Sequence, residues 1–354
     1  MTDPRVLLER HKPRLVYDSL ESYFADSAAT WTDSAHNVLR RANGKVLAKP
    51  PKLSLSLLGP HTYSDGTPVL ADDVIGETTR DYAAHAAALH RQAKYRDRIY
   101  GHARRDRDGR LWLQYWLFYY YNDFQLLGPL FSGGKHEGDW EVVQIRLGPS
   151  EQPEQATFSQ HRTAESRAWT DVRKAGANTP MVYISRGSHA NYFRAGSHWT
   201  GVWWDQADGR GPQITPTLEV LQDRTPAWVQ WPGSWGDTKA TASPLDAASP
   251  RSPGRRPHWM DPAALVTSPR RMGVAPQTPQ PPASPPVTAR RAGDRVIVRA
   301  EGPGPMIVGA RESPDAPARI WRFEDTQGMI ETEAEEIWVS TRGSAAERVV
   351  PRDV

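Results

Sequence analysis

The chain has no cysteine among its 354 residues. That absence excludes a disulfide framework, a thiolate zinc site and a cysteine nucleophile together. Nor is there an apolar run approaching the roughly eighteen residues of a membrane-spanning helix. The polar start Met1-Thr2-Asp3-Pro4-Arg5 lacks the apolar core of a secretory signal, so a cytoplasmic address is expected. Charge of one sign is also lacking, since 44 basic residues face 41 acidic ones, for a net +3, spread along the chain. No nucleic-acid footprint results.

Hydrophobic residues make up 38% and mean hydropathy is −0.65, an adequate but polar-biased core supply. The length exceeds what one core usually serves, so a large domain with an appendage is expected. Tryptophan (14) and proline (31) depart furthest from ordinary usage. Tryptophans at this density serve a thick β-core or a surface that meets sugar rings or lipid headgroups, the core being the commoner fate.

The densest chemistry lies in His136-Glu137-Gly138-Asp139-Trp140-Glu141, at the mouth of an apolar strand. With period two, Asp139, Glu141, Val143, Ile145 and Leu147 share one face, and Trp140, Val142, Gln144 and Arg146 the other. Same-face neighbours sit ~7 Å apart, so the two carboxylates can converge on a point between them, and Gly138 permits a turn that brings His136 alongside. Unpaired charge at such a boundary must be neutralised by protonation, by a cationic side chain or by a metal. A divalent cation held by all three is one solution, and an oxygen-rich set with one imidazole suits calcium, magnesium or manganese, with calcium or magnesium expected ahead of zinc. Pairing of Asp139 and Glu141 with arginines, with His136 capping a turn, is the other.

Around this motif the pattern is mainly β. A short strand is expected near Lys12–Ser19, and a helix from Asp72 or Asp73 through Leu89 to about Tyr95. A hairpin should join Ile99–Arg104 to the aromatic run Leu111–Tyr121, which is apolar on both faces and therefore central. Core strands follow at Glu141–Leu147 and Pro180–Ser185, with further short strands at Thr200–Asp205 and Ala227–Trp231. The whole is expected to be a β-sandwich with peripheral helices over residues 1–262. A proline-rich linker over 263–290 and a small β-rich domain over 291–354 follow, the latter with strands near Arg295–Arg299, Pro305–Gly309, Ile320–Phe323 and Glu336–Ser340.

Three segments carry a resemblance: Lys12–Tyr17 with Glu21 and Tyr23, the motif from His136 to Glu141, and Arg186-Gly187-Ser188-His189-Ala190-Asn191-Tyr192. Over roughly residues 5 to 262 they resemble the vacuolar protein sorting-associated protein 62 family. The central motif is also similar to the Gly-His-Arg-His-Asp-Trp-Glu heptad of the necrosis- and ethylene-inducing-peptide-like cytolysins. That resemblance implies a β-sandwich with a divalent cation held by His136, Asp139 and Glu141. It implies a further Asp, for which Asp123 is the nearest counterpart, and a Ser-x-His matched by Ser159-Gln160-His161. Glu137-Gly138 departs from the heptad's Arg-His pair.

Two functions follow as expectations. In the first, the cation coordinates a lipid headgroup, sugar or phosphate beside Trp140, Ser188, Asn191 and Trp203, with Trp199 and Trp204 nearby. In the second, a metal-bound water hydrolyses an ester or phosphoester with His161 or His189 as general base. A structural scaffold whose C-terminal domain recruits a protein partner is a third reading.

Overall fold

The computed structural model describes residues 2–123, 135–161, 163–200, 204–237, 249–265, 287–301, 306–310, 312, 319–341 and 347–353. Helix α1 (Pro4–Arg10), capped by the Asp3 side chain on Arg5 N–H at 2.8 Å, leads into β1 (Arg14–Tyr17). Next come α2 (Ala29–Thr32), β2 (Asn37–Arg40), β3 (Val46–Ala48), β4 (Val74–Glu77) and α3 (Tyr82–His90). The long strands follow as β5 (Arg98–Arg105), β6 (Leu111–Asn122), β7 (His136–Leu147), β8 (Pro153–Gln160) and β9 (Thr163–Ala168). Shorter ones are β10 (Met181–Ile184), β11 (Asn191–Tyr192), β12 (Gly196–Trp199), β13 (Trp204–Ala207), β14 (Gln213–Ile214), β15 (Thr217–Val220) and β16 (Ser234–Trp235).

The protein is mainly β, and a six-stranded sheet in the order β9-β8-β7-β6-β5-β15 is its centre. The aromatic run predicted to be central is β6, whose residues from Trp112 to Asn122 are all buried. Its odd positions Leu113, Tyr115, Leu117 and Tyr119 pack with Val143, Ile145 and Phe158 against Leu15 and Tyr17 of β1 and Val182 and Ile184 of β10. Its even positions Trp116, Phe118 and Tyr120 pack with Trp140 and Val142 against Leu39, Ile75, Trp228, Trp231 and Trp235. Two four-stranded sheets, β11-β10-β1-β14 and β16-β4-β2-β3, therefore cover opposite faces. Six of the tryptophans are almost wholly inaccessible, so the core is where most of the described ones go.

Gly138 sits inside β7 at φ +58°, a left-handed conformation that a side chain makes costly. A Cβ there would overlap the Trp235 carbonyl oxygen. This one residue inverts the alternation upstream of it. Glu137 turns to the aromatic face, where Tyr82 donates to it at 2.8 Å and Asp237 N–H at 2.8 Å. His136 turns to the other face and brings Nε2 to 3.9 Å from Asp139 Oδ1.

Two expected elements differ. Val74–Glu77 is a strand paired antiparallel with β2, and helix begins only at Tyr82. Asp73 caps nothing: its carboxylate accepts from Tyr63 Oη at 2.6 Å, Leu70 N–H at 2.8 Å and Arg41 at 2.8 Å. Ala227–Gln230 is a 3-10 helix rather than a strand, which lets the adjacent Trp228 and Val229 both enter the core where strand alternation would expose one. Of the expected strand at Thr200–Asp205, residues 201–203 lie outside the described ones.

Contacts divide the chain into two units, the second holding 273–354 with 123–133 and 196–208. The expected linker 263–290 falls largely on residues outside those described, although Pro262–Leu265 forms a 3-10 turn and a strand begins at Val287. In the second unit β17 (Val287–Ala292), β18 (Arg295–Ala300), β21 (Gln327–Glu331) and β24 (Arg352–Asp353) form one sheet in the order β21-β18-β17-β24. β19 (Met306–Ala310), β20 (Arg319–Phe323), β22 (Ile337–Thr341) and β23 (Glu347–Val349) form another in the order β20-β19-β22-β23. Val296, Val298, Met306, Val308, Ile330, Ile337 and Val339 are its core.

Replacing Gly138 by alanine is expected to destabilise the protein by about 3 kcal/mol, from left-handed strain plus overpacking against Trp235. Urea unfolding measures it. A loss below about 0.5 kcal/mol, the scale of an ordinary surface change, would contradict the role given to this residue.

Candidate cation and ligand site

At the β7 mouth, strand register sets Tyr119 opposite Asp139 and Leu117 opposite Glu141. The turn after β10 then brings His189 in, at φ +54°. Its Nδ1 lies 3.0 Å from Asp139 Oδ2, its Nε2 lies 3.9 Å from Glu21 Oε1, and its ring stacks on Tyr119 at 3.8 Å. The ring is wholly buried and holds Asp139 from one side. His136 stands on the other, its Nδ1 2.6 Å from the Gly138 carbonyl oxygen. Nδ1–H donates there, which leaves the Nε2 lone pair free to accept.

Glu141 is turned towards β8. Ser159 Oγ donates to its Oε2 in a short hydrogen bond, and Asn191 Nδ2 lies 3.5 Å from the same oxygen. Glu21 accepts from the backbone N–H groups of Gly187 at 2.7 Å and of Tyr23 at 2.8 Å. Among the described residues no lysine or arginine forms an ion pair with Asp139, Glu141 or Glu21. Three buried carboxylates thus face two imidazoles.

The electrostatic consequences are specific. Burial, and then the neighbouring Asp139 charge, push the Glu141 carboxyl up to about 8. Burial likewise raises Glu21. Burial would also raise Asp139, but the His189 hydrogen bond and the nearby His136, His189 and Arg256 charges outweigh it and hold the group below the usual carboxylate range. Burial lowers His136, the direction that favours the neutral ring a metal requires. On the opposite face burial raises Glu137 to about 7.

Of the residues expected at the site, His136, Asp139, Glu141, His189 and Asn191 gather here. Trp140 does not. It is buried on the other face of β7, 5.0 Å from Phe118 and 5.6 Å from Trp235, because strand alternation sends it opposite to Asp139 and Glu141. Ser188 bonds Ser185 through its hydroxyl. His161 is exposed in the β8–β9 turn at φ +56°, near enough for its charge to lower Glu141. Asp123 belongs to the segment grouped with the second unit. Trp203 lies outside the described residues. Tyr119 was missed by sequence reading, because its register with Asp139 comes from the pairing of β6 with β7 rather than from the β5–β6 hairpin, and Glu21 was noted only as part of a resemblance.

No family model matches the chain. It is similar to the yeast (Saccharomyces cerevisiae) "Putative vacuolar protein sorting-associated protein TDA6", 26% identical over a match spanning 36% of this chain and 36% of that one. The match thus covers about a third of that relative's length. Among solved structures, Necrosis and Ethylene inducing Protein 2 from the causal agent of cocoa's Witches Broom disease is 14% identical, with a TM-score of 0.30 over 62% of this chain and 74% of that one. A glucosamine complex of NLPPya is 11% identical, with a TM-score of 0.33 over 65% and 76%.

Among the described residues no three His, Asp or Glu side chains are grouped closely enough to hold one ion as they stand. The donor chemistry nonetheless fits a cation. His189 Nε2, Asn191 Oδ1 and Tyr119 Oη are buried without hydrogen-bond partners, and buried polar groups ordinarily have them. His136 and Asp139 keep side-chain exposures of 10% and 9%, so the cluster reaches solvent.

The metal-free protein should lose stability as pH rises from about 4.5 to about 8. In that window the unfolded chain has released protons that folded Glu141 and Glu137 retain. Each unit by which such a group is raised costs about 1.4 kcal/mol at the top of the window. Thermal unfolding in chelator across pH should show the decline, reduced in Glu141→Gln. A flat profile in both proteins would contradict it.

Proposed function

We propose that the chain binds a divalent cation through His136, Asp139 and Glu141, and uses it to recognise a polar headgroup, sugar or phosphate. The observation that carries this reading is the burial of Asp139, Glu141 and Glu21 with no arginine or lysine paired to them among the described residues. Calcium or magnesium suits the oxygen-rich donors better than zinc. A cation there supplies the positive charge the cluster lacks and attracts hydroxyl or phosphate oxygens of a ligand. The protein's own contribution is orientation, through Gly138 O on His136, His189 on Asp139, and Ser159 with Asn191 on Glu141.

Binding is favoured over hydrolysis by the state of His189. A base must reach the proton it abstracts, whereas His189 is wholly buried and spends Nδ1 on Asp139. That is a holding role. His161, exposed beside Glu141, is the residue left for catalysis.

Titration calorimetry and thermal shift with calcium, magnesium and zinc salts test the proposal. Binding should raise the unfolding free energy by about 2.7 kcal/mol when the cation is at about a hundred times its Kd. Asp139→Asn and Glu141→Gln should each abolish the gain with the circular dichroism of the native fold retained. Headgroup sugars and phosphates should bind only with cation present. Folded wild-type protein that gains nothing from any of the three metals would refute the reading.

A further inference from the structure

The second unit exposes an unusual sheet face. Along β18 the even positions Val296, Val298 and Ala300 are core, so Arg295, Ile297 and Arg299 point outward. Register sets Ile297 opposite Met329 of β21 on one side and opposite Arg290 of β17 on the other. Arg290 is in turn paired with Arg352 of β24. All six are exposed, Ile297 at 39% and Met329 at 52%. Four guanidinium groups therefore lie beside Ile297 on its own and the two following strands, while Gln327 and Glu331 flank Met329 at the sheet edge. The nearest acid is Glu331, 3.6 Å from Arg295, and among the described residues Arg290, Arg299 and Arg352 have no ion-pair partner.

We propose that this face docks an extended acidic peptide segment of a partner protein, in which an apolar side chain is flanked by carboxylates. Guanidinium groups take carboxylates through paired, charge-assisted hydrogen bonds. The Ile297–Met329 pair supplies the apolar floor beside them. Three strands of five or six residues ~4.8 Å apart, with the two-residue β24 beside them, span roughly 300 Å². That is well below the ~800 Å² each partner gives to a stable domain interface, and it suits a short peptide. Single-stranded nucleic acid is disfavoured because binding it relies on stacking on aromatic side chains, and no described residue of this face is aromatic. A bilayer is disfavoured because only two large apolar side chains are exposed among the described residues of this face.

The test uses the full chain and a fluorescein-labelled Glu-Glu-Leu-Glu-Glu peptide, read by fluorescence anisotropy. Phosphatidylserine vesicles and an oligodeoxythymidine strand serve as the alternative anions. The expected result is saturable peptide binding in the micromolar range that weakens with salt. It should fall about tenfold in the Arg290→Glu, Arg299→Glu double variant, equivalent to about 1.4 kcal/mol, and severalfold in Ile297→Ser. Near-ultraviolet circular dichroism checks that these exposed substitutions leave the fold intact. No saturation by about 1 mM peptide, binding unchanged by charge reversal, or preferential binding of vesicles or oligonucleotide would each overturn the proposal.

Discussion

Uncompensated negative charge inside a β-core is the constraint around which the rest of the molecule is arranged. Asp139, Glu141 and Glu21 are carried inward by strand and loop geometry, and buried charge is tolerated only when paired, protonated or bound to metal. Without a cation, the protein resolves the conflict by dividing the roles. Asp139 stays ionised between two imidazoles, while Glu141 is driven towards its protonated form. Two like carboxylates with opposed titration make a site poised to accept positive charge.

The architecture accounts for why that cluster can exist at all. A central sheet covered on both faces leaves little solvent to screen its strand ends, and β6 supplies an aromatic wall on either side. Gly138 then separates two acids that a regular strand would place together. Glu137 leaves for the far face, where Tyr82 and backbone amides satisfy it, and His136 takes its place beside Asp139. Without that inversion the site face would hold three consecutive acids of β7 and no imidazole from it.

Much of this was legible because it depends on local periodicity. The alternation of β7 from Asp139 onward and the centrality of Leu111–Tyr121 both follow from spacing. What was not legible depends on tertiary partners. Val74–Glu77 reads as the start of a helix because alanine-rich sequence follows it, and only pairing with β2 makes it a strand. Trp140 looked like a ligand contact from its place in the motif, yet its parity with Val142 already sent it to the core. Glu21 joins the cluster from a distant segment, which spacing cannot foresee.

An anomalous difference map from crystals grown with manganese would test the central claim most directly, since manganese stands in for calcium or magnesium at oxygen-rich sites. The account predicts a peak bounded by His136 Nε2, Asp139 and Glu141, with Glu141 drawn away from Ser159. A map without that peak, with Glu141 still bonded to Ser159 and Asp139 still bonded to His189 in saturating metal, would contradict it.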